Sequence, residues 1–233
     1  GLFTHLIHFC LERDLSVIIY DLPGHGLSTG EPAGIESFHQ YVEILNHYIT
    51  WCQRNFDEPL YLLGQSTGGA IAMAYLVEKG YSSSNSPFKN VFLLAPLVRP
   101  VQWKKLVFLY NASKHWVKSV QRKFMDCSHD EAFIEFLQKR DPLQYRRVPL
   151  TWVASLIDWS DEFAAVAPSS LSPIVIQGGG DTTIDWPYNL SVIDQKFDQP
   201  QVHFLPRARH HLVNESTAIR DRVFGILESN MTI

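Results

Sequence analysis

The sequence predicts an α/β protein with a mostly parallel sheet, flanking helices and a helical insertion. Three observations carry this reading. Short apolar runs alternate with amphipathic stretches of helical length along most of the chain. Runs such as "PLYLLGQ" (59–65) and "NVFLLAPLV" (90–98) are hydrophobic at consecutive positions, as strands covered on both faces are. The alternation breaks only between residues 99 and 170, where the pattern is helical in character.

The elements follow in order. "GLFTHLIHFCLERD" opens the chain with apolar residues Leu2, Phe3, Leu6, Ile7, Cys10 and Leu11 at helical spacing. "LSVIIYDLPGHGLSTG" reads as a β-rich run entering a glycine-rich turn, and 35–54 as an amphipathic helix. After the strand at 59–65, "TGGAIAMAYLVEKG" is a helix closed by Gly80. The strand at 90–98 precedes the insertion. "SPIVIQGGGD" (172–181) and "PQVHFLP" (200–206) are two further strands, and "VNESTAIRDRVFGILESN" closes the chain as a helix. The resulting division is a core of 1–98 and 171–233 carrying a cap of 99–170.

With 233 residues, 45% of them hydrophobic and 19% charged, the chain has enough apolar material for one large globular core. The net charge of −4 gives no case for a nucleic-acid partner. Cys10, Cys52 and Cys127 are far apart and form no CxxC or CxxH pattern, so they read as reduced thiols with no zinc site. No apolar run reaches the length of a membrane span.

Gly64-Gln65-Ser66-Thr67-Gly68 fits G-x-S-x-G, and it lies between an expected strand and an expected helix. A sharp strand-to-helix turn strains the serine backbone and asks for very small neighbours, here Gly64, Gly68, Gly69 and Ala70. The hydroxyl then stands at the strand's C-terminal end. The N–H of Thr67, at the helix start, is placed to stabilise an oxyanion.

A serine hydroxyl is a weak nucleophile. It needs a base, and the base needs an orienting carboxylate. Downstream, Asp181 falls just past a strand end, with Asp185 as its competitor and a candidate N-cap for a helix from Trp186. His210 and His211 lie in a loop after the last strand; His203 falls inside that strand and reads as packing. The order serine, acid, histidine suits nucleophilic acyl transfer on a parallel sheet.

With these residues in view, the chain resembles the α/β-hydrolase superfamily, and within it the monoacylglycerol lipase and bacterial lysophospholipase branch. "DLPGHGLSTGEP", "GQSTGGAIA", "IQGGGDTTID" and "RARHHLVNE" are similar to that branch's glycine turn, nucleophile elbow, acid loop and histidine loop. The resemblance implies Ser66 as nucleophile, Asp181 as acid and His210 as base, His210 following Ala208-Arg209 as family members place it. It implies a supporting role for Asp185, no cofactor and no metal. Gln65 departs from the histidine common before the serine. The implied substrate is a small-molecule or lipid ester with one long acyl chain. A thioester or an N-terminal proline amide on the same triad is the alternative, and an inactive scaffold is the reading outside enzymes. Dehalogenase and epoxide-hydrolase relatives use an aspartate where Ser66 stands. The resemblance also implies further strands and an H-G loop ahead of residue 1, with the second oxyanion donor on that loop. The sequence is therefore expected to be a fragment that folds poorly or binds its ester without full activity. The compartment implied is the cytoplasm.

Other patterns carry less. Gly24, Gly26 and Gly30 follow a strand but have neither the spacing nor the acidic residue of a dinucleotide turn. His5 and His8 share a helical face without a third ligand. Asn111, Asn189, Asn214 and Asn230 each begin N-x-[ST], which matters only in a secreted protein. The insertion is aromatic, with Trp103, Phe108, Tyr110, Trp116, Phe124, Phe133, Phe136, Trp152 and Trp159 among its residues. It is also basic: Lys104 to Arg147 hold ten Lys/Arg against five Asp/Glu. Two readings of that charge stay open, a solvated face and peripheral contact with an anionic bilayer or phospholipid head group.

Overall fold

The computed structural model describes residues 2–122 and 126–231, so the expectation for Phe124 lies outside the described residues. A four-stranded parallel sheet of β1 (Leu60–Gln65), β2 (Phe88–Leu94), β5 (Ile174–Gly178) and β6 (Gln201–Leu205) runs in the order β1-β2-β5-β6. Val91, Phe92, Leu93 and Leu94 are buried in succession, and so is every residue of β5. Consecutive burial means that both faces of these strands are covered, which is why their sequences do not alternate.

The helices form for local reasons. In α2 (Phe38–Asn55), Ser37 caps the N-terminus by accepting from the His39 N–H at 3.2 Å. Phe38, Tyr41, Val42, Leu45, Ile49 and Cys52 recur at helical spacing and are buried. The helix α3 (Thr67–Glu78) is buried continuously from Gly69 to Leu76, as a helix enclosed between the sheet and α2 must be. Phe9 of α1 (Thr4–Leu11) stacks on Phe224 of α8 (Thr217–Ser229) at 4.6 Å, joining the two ends of the chain.

The strand expected in "SVIIYD" is not formed. Among the described residues β1 is an edge strand, and no strand pairs with it on the side away from β2. A β-rich run becomes a strand only by joining a ladder, and this one joins none among the described residues. Ile18 and Ile19 remain exposed, while Tyr20 stacks on Tyr48 of α2 at 4.4 Å. The strand expected over 90–98 ends earlier, at Leu94, because Ala95 adopts a φ of 42° and turns the chain. The glycine turn closes on itself: the Gly24 N–H donates to Thr29 O, and Asp21 accepts from the Leu27 N–H.

Between β2 and β5 lie α4 (Trp103–Ser113), β3 (Ser119–Gln121), α5 (Glu131–Glu135), a π-helical turn at Phe136–Arg140, β4 (Arg147–Pro149) and α6 (Leu150–Ala165). The segment is helical apart from the antiparallel β3–β4 ribbon. Leu156, Trp159 and Phe163 of α6 join the main core, Trp159 stacking on Phe38 at 4.9 Å. The other elements of the segment follow the C-terminal end of β2 in the chain. The last helix before β6, α7 (Trp186–Lys196), begins just past the loop that follows β5.

Candidate active site

The strand β1 ends at Gln65 and α3 begins at Thr67, so Ser66 alone makes the turn. Its φ of 54° and ψ of −115° lie where side-chain-bearing residues are strained. The strain is held by the backbone on both sides: the Ser66 N–H donates to Leu94 O at 2.9 Å, and Ser66 O accepts from Ala70 and Leu97. A Cβ on Gly64 would come within 2.3 Å of Gly68 O, and one on Gly69 would meet Pro96 at 3.0 Å. A Cβ on Gly68 would meet nothing within 4 Å. The expected steric demand on Gly68 is thus corrected: its backbone carbonyl is the obstacle that Gly64 must clear, and its own side-chain direction is open.

The acid arrives from the neighbouring strand pair. After β5, Gly179 donates to Leu205 O and Gly180 to Ala208 O, folding the acid loop against the loop that follows β6. The Asp181 side chain is fully buried. Its Oδ1 accepts from the N–H groups of Thr183 at 2.8 Å and Ile184 at 3.3 Å. Its Oδ2 meets His210 Nδ1 at 2.7 Å, and His210 Nε2 meets Ser66 Oγ at 2.8 Å. An ionised carboxylate only accepts, so His210 Nδ1 carries a proton and Nε2 is left to face the serine hydroxyl. The structure therefore brings Ser66, Asp181 and His210 into one chain of hydrogen bonds.

Thr67 is the first residue of α3, so its N–H has no intrahelical acceptor and points out at the helix start. Asp185 does not enter the chain of hydrogen bonds. It caps α7 by accepting from the Tyr188 N–H, and its own N–H donates to Arg99 O. His203 lies within β6 opposite Ile176. Asn189 and Asn214 of the four N-x-[ST] triplets are buried.

Sequence reading gave no role to Gln65, His211 and Glu215 around His210. Gln65, where the family commonly has histidine, donates from Nε2 to His211 Nδ1 at 3.2 Å. A donor amide at Nδ1 goes with the His211 proton on Nε2. Burial, with the neighbouring His210 and Arg122 adding to it, pulls the His211 pKa down to about 3. The two histidine rings stand edge to face, 5.6 Å apart, and the Phe133 ring lies 5.2 Å from that of His211. The third group is Glu215, whose carboxylate is wholly buried. It accepts from the N–H groups of Arg209, His129 and Ser216 and from His129 Nδ1. Burial alone would raise its pKa, but these hydrogen bonds outweigh burial and hold it below the usual carboxylate value.

Glu215 belongs to a seam between the histidine loop and the start of α5. The His211 N–H donates to Cys127 O at 2.8 Å, Ser128 Oγ donates to Asn214 O at 2.6 Å, and an Arg209 N–H donates to Ser128 O at 2.7 Å. The elements beyond β2 thereby brace the loop that carries His210. Cys10, Cys52 and Cys127 are free thiols. Among the described residues no group of three His, Cys, Asp or Glu is placed to hold a metal ion.

Comparison with known proteins fits this geometry. The family model described as serine aminopeptidase S33 matches residues 1–217. A phospholipase of Bacillus subtilis is 26% identical over 195 residues, covering 79% of this chain and 72% of that protein. Mouse monoglyceride lipase is 31% identical over 99 residues, 42% of this chain and 31% of the lipase, so the chain spans less than a third of that relative. The solved monoacylglycerol lipase of Paleococcus ferrophilus superposes with a TM-score of 0.80 at 18% identity, covering 98% of this chain and 89% of that one. At that identity the likeness speaks for the fold.

Proposed function

The chain belongs to the serine aminopeptidase S33 family, and on that premise we propose that it hydrolyses lipid carboxylic esters through an acyl-enzyme on Ser66. The observation that carries the reading is the hydrogen-bonded sequence Asp181–His210–Ser66 at 2.7 and 2.8 Å, closed around a strained serine. His210 Nε2 takes the Ser66 proton as Oγ attacks the ester carbonyl. Asp181 Oδ2 holds the ring and stabilises the imidazolium that forms. The Thr67 N–H faces the oxyanion. His210 then protonates the leaving alcohol, and in the second half it activates the water that releases the acid. No cofactor takes part in these steps.

The substrate class we favour is a lipid with a single acyl chain, a monoacylglycerol or lysophospholipid. The names of the bacterial phospholipase and the mammalian monoglyceride lipase support it. Residues 99–170 act as the cap over Ser66, a role supported by their emergence from the same end of the sheet. A panel of a long-chain monoacylglycerol, a lysophosphatidylcholine, an acyl thioester and a proline amide tests the proposal. Turnover of either lipid ester above the thioester and amide is expected. Hydrolysis confined to the amide or thioester would overturn it in favour of the other acyl substrates this triad can serve.

A further inference from the structure

Gln65, the last residue of β1, directly precedes Ser66, and His211 directly follows His210. The nucleophile elbow and the histidine loop are therefore joined twice. One link is the reacting pair, His210 Nε2 and Ser66 Oγ at 2.8 Å. The other runs from the Gln65 amide to His211 Nδ1 at 3.2 Å. Proton transfer uses the first link, and no step of the reaction calls on the second.

The second link is built at a cost. Gln65 is only 8% exposed, and a buried amide is unfavourable unless it is hydrogen-bonded. Its Oε1 has no partner among the described residues, which leaves the bond to His211 as the anchor of the side chain. An apolar residue at the end of a buried strand would avoid that penalty. His211 is held in its turn. Its backbone N–H donates to Cys127 O at 2.8 Å, and its O accepts from the Asn214 N–H at 2.9 Å. Its ring plane stands at 84° to that of His210. Burial first, then the charges of His210 and Arg122, hold its pKa at about 3. The ring is therefore neutral wherever His210 can act as a base, and Nδ1 remains an acceptor for the amide.

Asp181 Oδ2 fixes one edge of the His210 ring. The gap between Nε2 and Oγ still depends on where the histidine loop stands relative to the elbow. A misplacement of about 1 Å costs on the order of 100-fold in rate. We propose that Gln65 and His211 are a positioning pair, a cross-tie from the elbow to the histidine loop that sets the approach of His210 to Ser66. Neither residue exchanges a proton with the substrate. The proposal rests on the reading of Ser66 as nucleophile, and it makes the hydrogen bond, rather than the His211 ring, the agent.

The test follows labelling of Ser66 by a fluorophosphonate, with the saturating rate and the half-saturating probe concentration measured separately. Gln65→Leu removes the donor. His211→Phe keeps a ring and removes the acceptor. His211→Asn removes the ring and keeps an acceptor oxygen close to the backbone, as Nδ1 is. Gln65→Leu and His211→Phe should each lower the saturating rate about ten-fold at an unchanged half-saturating concentration. Both should still label to completion, which shows that they fold. Together they should cost about ten-fold in all rather than about 100-fold, because either change alone breaks the tie. His211→Asn should stay within about three-fold of the parent. Parent rates in both single variants, losses that multiply in the double variant, or a loss confined to the half-saturating concentration would overturn the proposal. So would a slow His211→Asn beside an unimpaired His211→Phe. If Gln65→Leu does not fold, the comparison of His211→Phe with His211→Asn decides alone. A parent chain that does not label overturns the reading of Ser66 itself, and the pairing with it.

Discussion

Two parts of the segment between β2 and β5 meet the rest of the molecule in opposite ways. Residues 126–135 are fastened to the histidine loop by the bonds around Cys127, Ser128, His129 and Glu215. Residues 101–122, with more apolar surface, contain no buried residue at all. Of these two parts the apolar one is the exposed one, and the polar one is fixed. Directional hydrogen bonds to buried groups set a loop to within tenths of an ångström, whereas apolar area alone waits for something to cover it. The first part serves the geometry of His210. The second has no such tie to the catalytic histidine, and its residues stay exposed or half-buried.

Substitutions divide along that line. At the fixed end, Asp181→Asn should lower kcat about 10⁴-fold with little change in KM, because the wrong tautomer of His210 then faces Ser66. Steady-state kinetics on any turned-over ester checks this. Glu215→Ala removes the acceptor of four hydrogen bonds in a fully buried place and should cost about 3 kcal/mol of stability. Chemical denaturation measures it, and an unchanged midpoint would show that the seam carries no weight.

The seam also predicts a pH dependence. The folded pKa of Glu215 lies below its usual value, so its contribution is complete above about pH 4.5 and is lost as pH falls through the folded pKa. His211 adds to the same trend for the opposite chemical reason. Its folded pKa of about 3 lies below 6.5, so the unfolded chain binds the extra proton between those values. Stability should therefore fall by about 1.4 kcal/mol per pH unit in that window. His211→Phe should flatten this slope, which thermal melts between pH 4 and 7 would register. The smallest effect belongs to the loose end: Trp116→Ser should change stability by less than about 0.5 kcal/mol. A larger loss would mean that Trp116 packs against the protein, and the contrast between the two parts would fail.

The legible parts of this molecule were those written in local pattern. Consecutive apolar residues marked β1, β2 and β5, and the G-x-S-x-G string between a strand and a helix marked Ser66. "SVIIYD" has the same local pattern and forms no strand, because a ladder needs a neighbour that pattern does not supply. Gly68 looked as constrained as Gly64, but which glycine must lack a side chain depends on where the Gly68 carbonyl points after the turn. Gln65 and His211 are 146 residues apart, and their hydrogen bond exists only through the fold. Glu215 falls in sequence within the histidine loop and the stretch expected as the closing helix, with nothing to mark it as buried. Its burial follows from the chain segment at Cys127–His129 closing over it, a long-range event without a local signal.

The central claim is that Ser66 is a nucleophile activated by His210 and Asp181. Intact-mass analysis after exposure to a fluorophosphonate probe tests it most directly, with Ser66→Ala and Asp181→Asn alongside. The account predicts a single adduct on the parent chain, none on Ser66→Ala, and much slower labelling of Asp181→Asn. An unlabelled parent chain with its fold intact, or an adduct that survives Ser66→Ala, would contradict it.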